Sequence, residues 1–263
     1  MTNRFAETID ALQKNIENAA SKAVSILLSN QGSSHERMAL GAALGKVGDP
    51  RLSFPDNDMY WNVVNLGYTH ILVATYPVTI KEWRDFVEGD KYKNDDFWSA
   101  EGRLWRDKER PSWQELASSP AVQQLVVDNH PVVGVSWYEA EAYAKAYGAR
   151  LPEFDERVDI IRGLEKRHYP WGSPFGHGNS NTKEESLGQT TAVGIFYNDK
   201  ISEGIYDLVG NVAEWTADIF ESKAVLHPGS WSKDMMSSWP KASTSLSPAA
   251  RLDNLGFRLV KDI

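Results

Sequence analysis

The chain has 263 residues, 41% of them hydrophobic, with a formal net charge of -8 and a sequence pI near 5.3. That is enough apolar mass for one sizeable core, and too acidic for the clustered Lys and Arg that nucleic-acid binding relies on. The absence of cysteine removes disulfides, thiolate metal ligands, cysteine nucleophiles and thiol redox chemistry.

From the N-terminus, "MTNRFAETIDALQK" is amphipathic and acidic rather than a basic segment leading into an apolar run. No stretch approaches the roughly 18 apolar residues of a membrane span, so a soluble, cytoplasmic chain is expected. Phe5, Ile9, Leu12, Ile16, Ala20, Ala23 and Leu27 recur at spacings of four and three, which predicts one helix over about residues 4 to 28. A second helix is expected from Glu36 to Val47, capped by Ser34 and ended by Gly48. "GDPRLSFPDND" then places a boundary near residue 53, separating an N-terminal helical segment (1–53) from a domain spanning 54–263. Two helices alone cannot close a core, so they should dock on that domain, on a partner or on a second copy.

Beyond residue 60, short apolar runs such as "HILVATYPVT" and "HPVVGVSW" alternate with polar connections. Thr79 with Glu82, and Ser136 with Glu139, form capping boxes that open two helices, stopped at Gly89 and Gly148. A further turn or two follows Pro152, ending at Gly163. After that no long helix is expected, and loops of this length usually serve binding. "YDLVGNVAEWTAD" (Tyr206–Asp218) fits neither a helix nor a strand, because Gly210 and Asn211 interrupt both periodicities.

The segments "YPVTIKEWRDFV", "HPVVGVSWYEAEAYAKAYGARLPEFDE", "YPWG", "TTAVGIF", "YDLVGNVAEWTAD", "HPGSW" and "NLGFRLV" resemble, in order and spacing, the formylglycine-generating-enzyme or sulfatase-modifying-factor family over roughly residues 60 to 263. The resemblance implies an α+β, C-type lectin-like fold with little regular structure, a small antiparallel sheet and two main helices. It also implies that Gly210 and Asn211 make a tight bend carrying Glu214 and Trp215 into the domain centre.

Family members that make formylglycine hold copper with two cysteines just after a Gly-Gly-Ser-aromatic motif. Here the motif is "PGSW", and the cysteine positions fall near Lys233 and Ser237 or Ser238. These are not the soft sulfur ligands copper(I) needs, so no copper is expected. The resemblance also implies a calcium site of Asn181, Glu185 and the carbonyls of Thr182 and Leu187, an all-oxygen set suited to a hard cation. Met235 and Met236, adjacent on an extended segment, point opposite ways and read as packing or surface residues. Six histidines form no metal-binding spacing. Ser136 is a cap rather than a nucleophile, "GAALGKV" (Gly41–Val47) lacks the spacing of a phosphate loop, and Glu214 with Asp218 reads as structural rather than as an acid-base pair.

What remains is Ser232 to Asn254, rich in short polar side chains around Trp239 and held between "GSW" and "GFRLV". The candidate ligand-binding residues are Ser232, Lys233, Asp234, Ser237, Trp239, Lys241, Ser243, Ser245, Asp253 and Asn254, a composition suited to adaptable recognition. Variable proteins of diversity-generating retroelements resemble this arrangement. The expected function is therefore non-catalytic binding of a protein or peptide. The rivals are a divergent oxidoreductase on the same fold and an accessory component of a bacterial signalling or defence system. The last rests on "ERMALGAALGKVGDPR", which is similar to the linker before this domain in multidomain signalling ATPases.

Overall fold

A computed structural model describes residues 4–108 and 126–263. The first expected helix is two: α1 (Arg4–Gln13) and α2 (Ala19–Leu28). The break falls where Asn15 and Asn18 take left-handed φ values of 52° and 64°, a conformation asparagine tolerates better than most residues, and Ile16, expected on the apolar stripe, is 53% exposed. In α3 (Ser34–Val47) the cap is Ser33 rather than Ser34, because Glu36 lies three residues after Ser33 and completes a capping box with it. Phe5, Leu12, Ala23, Leu27, Leu40 and Leu44 form one cluster with Ala192, Ile195 and Phe196, so the N-terminal helices spend their apolar faces on the chain's own domain. Asn129 pins the junction, donating to the Gly41 carbonyl at 3.0 Å and to Asp49 at 2.8 Å.

The two central helices form as expected. α4 (Ile80–Glu88) and a later helix (Trp137–Ala146) each open on a complete capping box. The sequence reading missed α5 (Ala100–Arg106), a seven-residue helix capped by Ser99 whose internal Gly102 hides any apolar period. The helix at Trp137–Ala146 is therefore α6, and α7 (Phe154–Arg162) ends at Gly163, φ 58°. Strands β1 (Trp61–Asn65), β2 (His70–Ala74) and β7 (Val260–Asp262) make one antiparallel sheet in the order β1-β2-β7. A second sheet runs β5 (Thr244–Leu246), β4 (Lys223–His227), β3 (Ala213–Phe220), β6 (Leu255–Phe257), and its β3–β6 pair is parallel. The single antiparallel sheet expected is thus two small sheets, one of them mixed. The core lies between them and α4 and α6, built on Trp83, Phe86, Tyr143, Trp215 and Phe257. Among the described residues, no helix is long and apolar enough to cross a membrane.

The Gly210–Asn211 bend is as tight as expected. A Cβ on Gly210 would sit 2.4 Å from the Asn181 carbonyl oxygen, so only glycine fits, and Asn211 has φ 68°. Asp199 is buried and accepts hydrogen bonds from the backbone N–H groups of Leu208, Val209 and Gly210, which holds the approach to the bend. Asp207, equally buried, accepts from the Gly194 N–H at 2.8 Å through Oδ2, while its Oδ1 has no partner among the described residues. Burial, then the nearby Asp199 charge, pushes the Asp207 pKa up to about 7.

A raised folded-state pKa gives stability that is fully present below the unfolded value and lost as pH rises through the folded one. Buried neutral His130 and His227 act in the opposite sense, so the informative quantity is the difference between a variant and the parent. Asp207→Asn, which keeps the acceptor for Gly194 and removes the charge, is expected to melt several degrees above the parent at pH 8, with the gap narrowing to nothing near pH 4. Thermal melts of both proteins across that range check it; a gap independent of pH contradicts it.

Candidate functional site

β3 leaves the Gly210–Asn211 bend with Glu214 and Trp215 fully buried. Glu214 is gripped by Arg157 of α7, Nε to Oε2 at 2.8 Å, and by Arg258, Nη2 to Oε1 at 3.1 Å. Burial pushes the Glu214 carboxyl up, but the two guanidinium groups outweigh it and hold its pKa below the ordinary value. Arg258 also donates to the carbonyls of Ala74 and Tyr206, and Arg157 to that of Leu208. Asp218, at the other end of β3, accepts from the Phe154 N–H at 2.7 Å, so the two carboxylates serve separate structural contacts.

Above this frame the chain from Ser232 returns to the surface. Ten candidate ligand-binding residues were named, and nine are at least partly exposed: Ser232, Lys233, Asp234, Ser237, Trp239, Lys241, Ser243, Ser245 and Asp253. Asn254 is buried, donating to Ser230 Oγ at 3.1 Å and Ser232 Oγ at 2.8 Å, and so acts as the anchor beneath the segment. Trp239 is half-buried rather than freely exposed. Its ring meets His168 at 5.1 Å and Tyr169 at 5.8 Å between centroids, both edge-on, and its carbonyl accepts from His227 Nε2 at 3.2 Å. Asp234 accepts from the Ser237 N–H, which lowers its pKa.

The structure adds residues that the sequence reading left out. Tyr169 and Trp171 stack with rings 5.0 Å apart and 5° from parallel, and Phe175 closes on both. With Trp239 they make an aromatic platform beside the segment. "YPWG" was the visible signal, but nothing in it told which later aromatic would meet it. A third loop joins these two, since the Lys183 N–H donates to the Lys233 carbonyl at 2.9 Å and Glu184 accepts from the Met235 N–H at 3.0 Å.

Asn181 and Thr182 are buried, and Asn181 Oδ1 has no partner among the described residues, the kind of atom a hard cation coordinates. Its Nδ2 is committed to the Gln189 carbonyl and Asn211 Oδ1. Glu185 does not fit the same set as folded: one carboxylate oxygen accepts from the Gly178 N–H and the other from Ser34 Oγ of α3. The Thr182 carbonyl accepts from the Glu185 N–H, and the Leu187 side chain packs on the N-terminal cluster. At the positions matching the family's copper ligands, Lys233 and Ser237 offer an ammonium and a hydroxyl, and Ser238 donates its hydroxyl to the Asp234 carbonyl; none is a ligand for copper(I). His130 and His227 are buried, and burial pushes the His130 pKa down to about 3. No group of three His, Asp or Glu side chains able to hold a metal occurs among the described residues.

Known proteins agree with this architecture. Residues 62–263 match the family described as "Sulfatase-modifying factor enzyme 1-like domain". The bovine (Bos taurus) protein named "Inactive C-alpha-formylglycine-generating enzyme 2" is 31% identical over 230 residues, covering 71% of this chain and 75% of its own. Among solved structures, PvdO from Pseudomonas aeruginosa superimposes with a TM-score of 0.55 at 21% identity, covering 74% of this chain and 81% of its own. Treponema denticola variable protein 1 does so at 0.53 and 18%, covering 77% and 91%. At these identities the two structures speak to the fold alone. The chain belongs to the sulfatase-modifying-factor family, and its sequence contains no cysteine.

Proposed function

We propose that the chain is a non-catalytic recognition module whose ligand, a protein or peptide, is held by the exposed side chains of residues 232–253 together with Trp171, Phe175 and Trp239, which are seated around buried Tyr169. The observation that carries this reading is the contrast along one stretch of chain. Nine candidate side chains reach the surface, while the residues at either end, Ser230 and Leu255 through Val260, are buried. Such a segment changes its surface chemistry without touching the core, because exposed substitutions cost little stability. Trp171, Phe175 and Trp239, partly exposed around buried Tyr169, supply contact area at low entropic cost, and serines adapt their hydrogen bonds. The lack of thiols supports binding over oxidation, and the neighbouring name, an inactive enzyme, is of the same kind.

Comparison of natural copies of the gene tests this directly. Substitutions are expected to concentrate between Ser232 and Asp253, sparing buried Ser238, Pro240 and Asn254; an even scatter over the chain counts against the proposal. In a parallel assay with added copper, a cysteine-containing peptide is expected to stay a thiol, and its conversion to an aldehyde would replace the binding reading with the oxidase.

Calcium belongs to the proposal through Asn181, with Glu185 turning from Ser34 and Gly178 to complete the set. Excess Ca2+ over chelator is then expected to raise the melting temperature by a few degrees, as any ligand selective for the native state does. Glu185→Gln should abolish that rise. A melting temperature indifferent to Ca2+ removes the ion from the account.

A further inference from the structure

On α6, Trp137, Glu141, Ala144 and Lys145 follow one another at spacings of four, three and one, so they share one face of the helix. Across from that face lie Ala149, Leu151 and Ala217 of β3. Because Ala144, Ala149 and Ala217 are all small, the space between them stays unfilled, as a pocket of about 180 Å³. Trp137 is its fixed aromatic wall: the indole Nε1–H donates to the Thr216 carbonyl at 2.7 Å and the backbone N–H to the Pro248 carbonyl at 2.9 Å. Glu141 sets a carboxylate in these mostly apolar walls. Its Oε1 accepts from Lys145 Nζ at 2.7 Å, while Oε2 is buried and has no hydrogen-bond partner among the described residues. A carboxylate accepts up to about four hydrogen bonds, and a buried oxygen left with none is costly, so this group has room for a donor.

The pocket's own charges narrow what brings that donor. A cation would meet Lys145 and Arg150, the latter already held by Glu156 and Asp262 at 2.6 Å each, and an anion would meet Glu141. A purely apolar body leaves Oε2 without a partner. The occupant that suits every wall is uncharged and apolar, with a flat face for Trp137 and one N–H or O–H for Glu141. Its size agrees, since a cavity of about 150 Å³ already holds benzene. We infer that this pocket binds a phenol- or indole-like group, its ring against Trp137 and its hydroxyl or N–H on the Glu141 carboxylate. Two sources carry such a group: a free small aromatic, and a Tyr or Trp side chain of a protein partner, the kind of residue that anchors interfaces. The inference goes beyond the recognition surface proposed above, because no residue of the pocket belongs to 232–253 or to the aromatic group around Tyr169.

The probes are p-cresol, indole and toluene, titrated into the full chain labelled at alanine methyls and tryptophan indoles and followed by NMR. p-Cresol and indole are expected to bind with a Kd of about 1 mM or below and to shift the methyl signals of Ala144, Ala149 and Ala217. Toluene, which brings no donor, should bind about tenfold more weakly. Glu141→Met keeps the length and removes the acceptor, so it should erase the difference between p-cresol and toluene. Ala217→Leu should fill the pocket and abolish binding of both. Glu141 is partly exposed on the helix surface, so its variant is expected to fold even where the added leucine is not accommodated. An end-blocked Ser-Ser-Tyr-Ser-Ser peptide separates the sources: competition with p-cresol at the same methyls assigns the pocket to a partner's side chain, and failure to compete assigns it to a free aromatic. Three results overturn the inference: no binding of p-cresol or indole at about 5 mM, toluene binding as well as p-cresol in the parent, or shifts confined to the Trp171 and Trp239 indoles instead of the three alanines.

Discussion

One carboxylate holds the structure's separate parts together. Glu214 lies fully buried between Arg157 and Arg258, and the guanidinium groups reach out from it to the carbonyls of Ala74, Tyr206 and Leu208. Through this node α7, the end of β2, the loop before the bend, β3 and the C-terminal segment share one set of contacts. A chain with this little regular structure cannot satisfy its backbone through helix and sheet ladders alone, so side chains take over that role. Desolvating three ionised groups is costly, and the cost is recovered only because each is paired. Removing one partner from such a set typically costs about 3–5 kcal/mol.

The bend that delivers Glu214 belongs to the same arrangement. Gly210 lies against the Asn181 backbone, Asn211 bonds to Asn181 and Thr191, and Asp199 collects three backbone N–H groups just upstream. These are buried polar residues acting as local scaffolding, and their stake is high because an unpaired polar atom in the interior is expensive. The displayed segment is tied to this scaffold mainly through its backbone, where β5 pairs with β4 and the Pro248 and Leu252 carbonyls accept from Trp137 and Gly134, and through Ser238, Arg251 and Asn254, while the exposed candidate side chains take little part in it. That division, a fixed ionic interior and exposed side chains lightly committed to it, is the physical support for the recognition proposed above.

Much of this was legible in the residues. Capping boxes at Thr79 and Ser136 placed α4 and α6, and the failure of both periodicities at Gly210 and Asn211 marked the bend. Local chemistry of this kind acts within a few residues and leaves a local signature. The helix break at Asn15 and Asn18 was hidden by an apolar stripe that continued through Ile16, and the Ser33 cap was one residue from the expected one. Long-range pairings left no local trace: the parallel β3–β6 pair, the meeting of Trp239 with Tyr169 and the turn of Glu185 toward Ser34 are decided by tertiary packing. The burial of Asn254 has the same origin, since its neighbour Asp253 is exposed and only the path of the chain distinguishes them.

The central claim is that the ionic node carries the fold while the displayed residues do not, and thermal unfolding of two proteins measures it. One carries Glu214→Gln alone. The other carries alanine at Lys233, Met236, Ser237, Lys241, Ser243 and Asp253 together. The account predicts that the single buried change lowers the melting temperature by about 10 °C while the sixfold surface change moves it by a few degrees at most. A sixfold variant as destabilised as Glu214→Gln would contradict it, since the segment would then be part of the frame.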